Sequence, residues 1–234
     1  MLNKLGKLLK YEFKFYCRIM PIFYLALILV SAAAAFQGSF TLGFSYNRGI
    51  TINLLIWGGL LTAMLTVNLA LIVQRFRENF FKNPGYLMFT LPVSMHVLIA
   101  SKAVAAFCSA VASLITGVIA TGIAISLSGE GLFESITVNR TFVLMSAMLL
   151  TLIFQQICLI YSLMTASRIL PRFQTPAAVI AYFAVNLFVH EPIQKAVSFG
   201  GDGVSAAALG TDIVFAVLYF WLAGFLLKRT LNLE

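Results

Sequence analysis

Few residues in this chain could do chemistry, and they do not stand in the patterns that chemistry requires. The sequence has two histidines, His96 and His190, and neither has a neighbouring ligand. There is no H-E-x-x-H, no G-x-S-x-G and no pair of carboxylates within an apolar run. Covalent or metal-assisted catalysis needs a nucleophile with its base, or a ligand cluster. The thiols Cys17, Cys108 and Cys158 offer neither a disulfide framework nor metal-ligand spacing, and read as small hydrophobes. A phosphate loop of the G-x-x-x-x-G-K-[ST] kind is missing as well. The expectation is a chain that is not an enzyme and holds no cofactor or metal of its own.

What remains are polar residues set inside apolar runs: Asn53 and Asn68, Gln155 and Gln156, and Asn186. Each could tie helices together by a hydrogen bond, worth about 0.6 kcal/mol on average. Each could equally line a pathway for an amphipathic substrate. Adjacent helical residues point about 100° apart, so Gln155 and Gln156 are expected to face different surroundings, one a helix and the other a lumen. Asp212 is the one acid that could enter the last run. If that run starts near Ala206, Asp212 lies more than a turn inside and must face protein or water. If it starts later, Asp212 is an outer-boundary residue.

A second group of residues lies in the link 74–101, where Arg75, Phe76, Arg77, Glu78, Asn79, Phe80, Phe81 and Lys82 precede Pro84-Gly85. Phe76 and Phe80 are one helical turn apart and ringed by charge, the composition of a binding hot spot. An interfacial aromatic belt with basic flanks has the same composition.

The elements that position these residues follow from hydropathy. Of 234 residues, 61% are hydrophobic and 10% charged, and the mean hydropathy is +0.96. Six stretches carry no Lys, Arg, Asp or Glu: 19–47, 49–74, 103–129, 141–167, 173–190 and 213–227. A helix needs about 20 apolar residues to cross the hydrocarbon, and a charge at mid-depth costs roughly 3 kcal/mol. The first four stretches are long enough and the last two are marginal. Residues 22–30 do not alternate as a barrel strand would, so helices are expected. A cleaved signal peptide is not expected, because the first apolar run is long.

Sixteen basic residues against eight acidic ones give a net charge of +8. On a soluble protein this would suggest nucleic acid. Here the basic residues collect near one side of the bilayer, as Lys4, Lys7, Lys10, Lys14, Arg18, Arg75, Arg77, Lys82, Lys102, Arg168, Arg172, Lys228 and Arg229. Only Arg48, Arg140 and Lys195 fall opposite. That bias sets both termini in the cytoplasm and makes the partner a lipid bilayer, with no nucleic acid.

Residues 1–18 read as an amphipathic helix lying in the inner interface. Leu2, Leu5, Leu9, Phe13 and Tyr16 share one face and Lys4, Lys7, Lys14 and Arg18 the other, with a bend at Pro21. The segment 191–210, after Glu191-Pro192 and around Gly200-Gly201-Asp202-Gly203, reads as either an interfacial outer loop or a short helix re-entering the membrane. All of residues 1–234 form a single transmembrane domain, with 74–95 as its cytoplasmic loop.

Two stretches carry a resemblance to a known family. Arg75 to Phe81, followed by Gly85-Tyr86-Leu87-Met88-Phe89-Thr90-Leu91-Pro92-Val93-Ser94 and Ser101-Lys102, is similar to the first cytoplasmic loop of ABC-2 type permeases. The likeness is closest to the small six-span permeases of Gram-positive bacteria. Lys7-Leu8-Leu9-Lys10-Tyr11-Glu12-Phe13-Lys14 resembles their N-terminal helix. The resemblance implies the membrane half of an ATP-driven transporter in a bacterial cell membrane, working with cytoplasmic ABC ATPase subunits that hold ATP and Mg²⁺. A second permease chain, identical or paralogous, would complete the pathway. It further implies that 76–82 is a coupling helix, that 85–94, with Gly85, Tyr86 and Phe89, is a strap into the third span, and that the segment before the last span is re-entrant. Charge-free walls suit peptides, lipids or hydrophobic drugs better than inorganic ions. The alternative is a membrane scaffold or sensor subunit of an ATPase complex that transports nothing.

Overall fold

Backbone groups in lipid have no water to bond to, so a charge-free run must satisfy them within its own helix. The computed structural model describes residues 2–36, 48–81, 95–127, 140–169, 173–198 and 204–230, and among these all regular structure is helical. Its elements are α1 (Leu2–Phe36), α2 (Arg48–Phe81), α3 (Met95–Leu127), α4 (Arg140–Ala166), α5 (Gln174–Val185), α6 (Glu191–Ser198) and α7 (Val204–Thr230). A 3₁₀ turn, Ser167–Ile169, ends α4, and a π turn, Asn186–His190, joins α5 to α6. Among the described residues six spans are long and apolar enough to cross a membrane: Leu8–Ala33, Ile56–Glu78, His96–Ile123, Leu144–Ala166, Thr175–Lys195 and Ala207–Arg229.

The helices divide into two units. One comprises Leu9–Ile72 and Cys108–Val138, the other Met1–Leu8, Val73–Phe107 and Asn139–Glu234. In the first, Leu27, Met64 and Ala120 form a buried apolar core flanked by Phe23, Tyr24, Trp57, Leu60 and Leu61. In the second, α4 packs most extensively against α7 and also against α5. Large apolar side chains such as Leu25, Val118, Phe183, Phe188, Val217 and Trp221 stay exposed, which suits a surface solvated by acyl chains.

Helix ends differ from those read in the sequence. Helix α1 runs unbroken through Pro21, so the N-terminal segment and the first span are one continuous helix. Proline removes one bond, to the carbonyl of Cys17, and the inward stripe Glu12, Tyr16, Met20, Leu27 and Ser31 continues past it. Lys10, Lys14 and Arg18 remain exposed.

Residues 74–81 are likewise the last two turns of α2 and not a separate short helix. No glycine or proline interrupts α2 after Gly59, and Gln74 Nε2 donates to Glu78 Oε1 at 3.0 Å along it. Helix α3 starts at Met95, before the expected end of the link, and buries Leu98, Ile99, Ser101 and Lys102.

The fifth helical run does not stop at Glu191-Pro192. The amide of Glu191 donates to the Asn186 carbonyl, five residues back, and this widened turn carries the chain into α6. Pro192 then falls in the first turn of α6, where a missing N–H is tolerated. The segment expected to be re-entrant or interfacial is therefore divided. Residues 191–198 extend the fifth run and 204–210 open α7, while 199–203 lie outside the described residues.

Candidate functional site

Two polar clusters lie within the spans, one in each unit. In the unit that contains the N-terminal span, the Asn68 amide reaches α3. Its Nδ2 donates to Ser113 Oγ at 2.7 Å, to Ser109 Oγ at 3.0 Å and to the Ser109 carbonyl at 3.2 Å. The Tyr24 hydroxyl joins Ser113 Oγ at 3.0 Å, which brings in α1. A second tie runs from Trp57 Nε1 to Ser31 Oγ at 3.1 Å, and Ser31 donates to the Leu27 carbonyl. Every member is neutral near pH 7, and the arrangement joins α1, α2 and α3.

The other cluster joins α4, the π turn, α6 and α7. Gln155, at the centre of its span, is buried and places Nε2 2.9 Å from Nδ1 of His190. The opposite ring nitrogen, Nε2, lies 3.0 Å from the Tyr219 hydroxyl. The Gln155 amide nitrogen can only donate, so Nδ1 accepts from it and Nε2–H donates to the Tyr219 hydroxyl. Phe215 packs edge-on against the imidazole with centroids 4.8 Å apart, and stacks on Tyr219 at 5.9 Å. One turn along from Phe215, Asp212 is buried with the side chain of Gln194 beside it. Beside this column, Gln156 Nε2 donates to Asn186 Oδ1 at 3.1 Å, and Asn186 Nδ2 donates to the Tyr182 carbonyl at 2.9 Å.

Several expectations change here. Gln155 and Gln156 both bond to the π turn, at His190 and Asn186, so neither is left to a lumen while the other faces a helix. The widened turn presents residues one turn apart to two adjacent side chains of α4. Asp212 lies about two turns into α7, which begins at Val204, and faces protein. Asn53 lies in α2, but its side chain is outside the described residues.

His190 and Tyr219 are members that the sequence reading missed. His190 was placed at a span end because Glu191-Pro192 follows it. The signal was spacing: Asn186, His190 and Gln194 repeat every four residues, and Asp212 and Tyr219 are seven apart, each set on one helix face.

The aromatic and basic link is placed in part. Phe76 is fully buried and stacked on Tyr161 of α4, with centroids 4.3 Å apart and planes 16° apart. It cannot be an exposed docking aromatic, since its ring fills the protein's own interior. The Tyr161 hydroxyl donates to the Lys102 carbonyl of α3 at 3.4 Å. Arg77 is exposed and donates to Thr175 Oγ1 at the start of α5, at 3.2 Å. Arg75 and Glu78 are half-buried on the same turns. Asn79, Phe80 and Phe81 complete α2, though their side chains are outside the described residues, as are Lys82, Gly85, Tyr86 and Phe89 altogether.

Among the described residues no group of three or more His, Cys, Asp or Glu side chains is placed to hold a metal ion. The fold and its buried polar clusters define a multi-pass α-helical membrane protein. No family model, curated protein or solved structure matches the chain.

Proposed function

We propose that this chain is the membrane subunit of an ATP-driven transporter of the ABC-2 permease type. In this reading it lies in a bacterial cell membrane with both termini in the cytoplasm, pairs with a second permease chain, and exports or flips an amphipathic substrate. Separate ATPase subunits supply the energy, since the sequence has no phosphate loop of its own.

The observation that carries the reading is the inner end of α2. It holds the charged and aromatic residues that resemble a permease coupling segment, on a helix pinned to its neighbours. The Phe76–Tyr161 stack ties it to α4, the Tyr161 hydroxyl ties that stack to α3, and Arg77 ties it to α5. A push on the tip of α2 would therefore reach three other helices through packed contacts. Phe76 acts as the pin, and the docking residues are those beyond it, Phe80, Phe81 and Lys82.

Affinity purification of the tagged chain from its native membranes in mild detergent tests this. A protein with a phosphate loop is expected in comparable molar amount, and Phe80→Ala combined with Lys82→Glu is expected to remove it. Purification without any such ATPase would overturn the reading.

A further inference from the structure

The column Asp212–Gln194 and Gln155–His190–Tyr219 has more polar capacity than its internal bonds use. Asp212 is 2% exposed, and the polar side chain beside it is a neutral amide, Gln194. A buried carboxylate with only a neutral partner is costly in a span. The side-chain carbonyls of Gln155 and Gln156 are both buried and have no hydrogen-bond partner, and the Gln155 side chain as a whole is 1% exposed. An orphaned buried acceptor forfeits about 1–3 kcal/mol, so these oxygens call for a donor.

The chemistry of the missing group follows from its surroundings. Carboxylate and amide oxygens accept N–H donors, and a primary ammonium supplies three of them with a positive charge. The rings of Phe215, Tyr219 and His190 add aromatic faces, which attract an organic cation through their quadrupoles. A small metal ion would instead need a shell of oxygens that the rings do not provide. Gln194 is exposed, so the Asp212 layer reaches the surface beside α6. Leu187, Phe188, Ile213 and Val214 are exposed next to it on the lipid-facing side, where an alkyl tail would lie.

We propose that this column binds the primary ammonium group of a cationic amphiphile, held by Asp212 and by the orphaned carbonyl of Gln155. This rests on the permease reading for its purpose, as it names the substrate class, but not for its test. The probe is a diazirine-bearing dodecylamine, photolysed with the full chain in nanodiscs and with no ATPase present.

Crosslinks are expected on α6 and α7 around Gln194 and Asp212, suppressed by excess dodecylamine and not by dodecanol. Asp212→Asn is expected to reduce them by about tenfold, and Gln155→Met by about threefold. If Asp212→Asn fails to insert, Gln155→Met and the dodecanol comparison decide. Labels spread evenly over lipid-exposed residues, equal suppression by dodecanol, or unchanged labelling in the variants would leave the orphaned oxygens to ordered water and overturn the site. Because no ATPase takes part, loss of the site leaves the permease reading standing. Binding in a chain that purifies without an ATPase would keep the site and remove that reading.

Discussion

The two units face the same demand, to bury polar side chains among helices in lipid, and meet it differently. Around Asn68 the polar groups are hydroxyls and one amide, all neutral, spent on joining α1, α2 and α3. Around His190 the groups include an imidazole and a carboxylate, set among aromatic rings. Each cluster leaves an amide carbonyl without a partner, Asn68 Oδ1 in one and the Gln155 and Gln156 oxygens in the other. The second also carries Asp212, one turn from the Phe215 ring that packs on its histidine. The first cluster is a tie between helices, and the second adds ionisable groups to such ties.

The difference can be probed from its largest expected effect downward. Phe76→Ala removes the pin of the second unit and is expected to cost about 3 kcal/mol, read as lost resistance to denaturation in mixed micelles. A loss below about 1 kcal/mol would mean that the Tyr161 stack does not anchor α2.

Asn68→Leu should cost about 1–2 kcal/mol in the same assay, because one amide serves two serines and a backbone carbonyl. A smaller loss than that of Gln156→Leu would erase the distinction between the clusters.

Gly224 lies where an added Cβ would sit 2.7 Å from the ring of His96. His96 is exposed and its ring can swing away, so Gly224→Ala should cost no more than about 1 kcal/mol. Combining it with His96→Ala should recover that cost, and additive losses would show that the ring is not what Gly224 accommodates.

Gln156→Leu is expected to shift stability by less than about 0.5 kcal/mol. It removes one oxygen that has no partner and leaves another, Asn186 Oδ1, without its donor, so the two changes nearly offset. A loss above about 1.5 kcal/mol would place Gln156 with Asn68 as a structural tie.

The six spans were readable because a charge-free run is a linear property, and each of the six stretches falls on one of the spans found. Helix ends were less readable. Pro21 and Pro192 look like punctuation, yet one removes a single bond from a long helix and the other sits in a first turn after a π turn. Of the site, Gln155, Gln156, Asn186 and Asp212 stood out as polar residues in apolar surroundings. Their partners did not, since which helix faces meet across a bundle is decided by packing and not by local sequence. Phe76 shows the same limit from the other side. An aromatic among charges resembles a docking residue until a tyrosine eighty-five positions later is found stacked on it.

The π turn has a consequence for how this chain tolerates length changes. It holds one more residue than an α-helical turn while closing about the same angle, so α6 keeps nearly the face it would have in a continuous helix one residue shorter. Deleting a single residue within 186–190 would allow that continuous α-helix to form. Gln194 would then stay on the side of Asp212. A one-residue deletion in α5, before the turn, has no such reserve to draw on: unless the π turn itself relaxes, it acts as a rotation of about 100° and separates the acid from its amide without touching either.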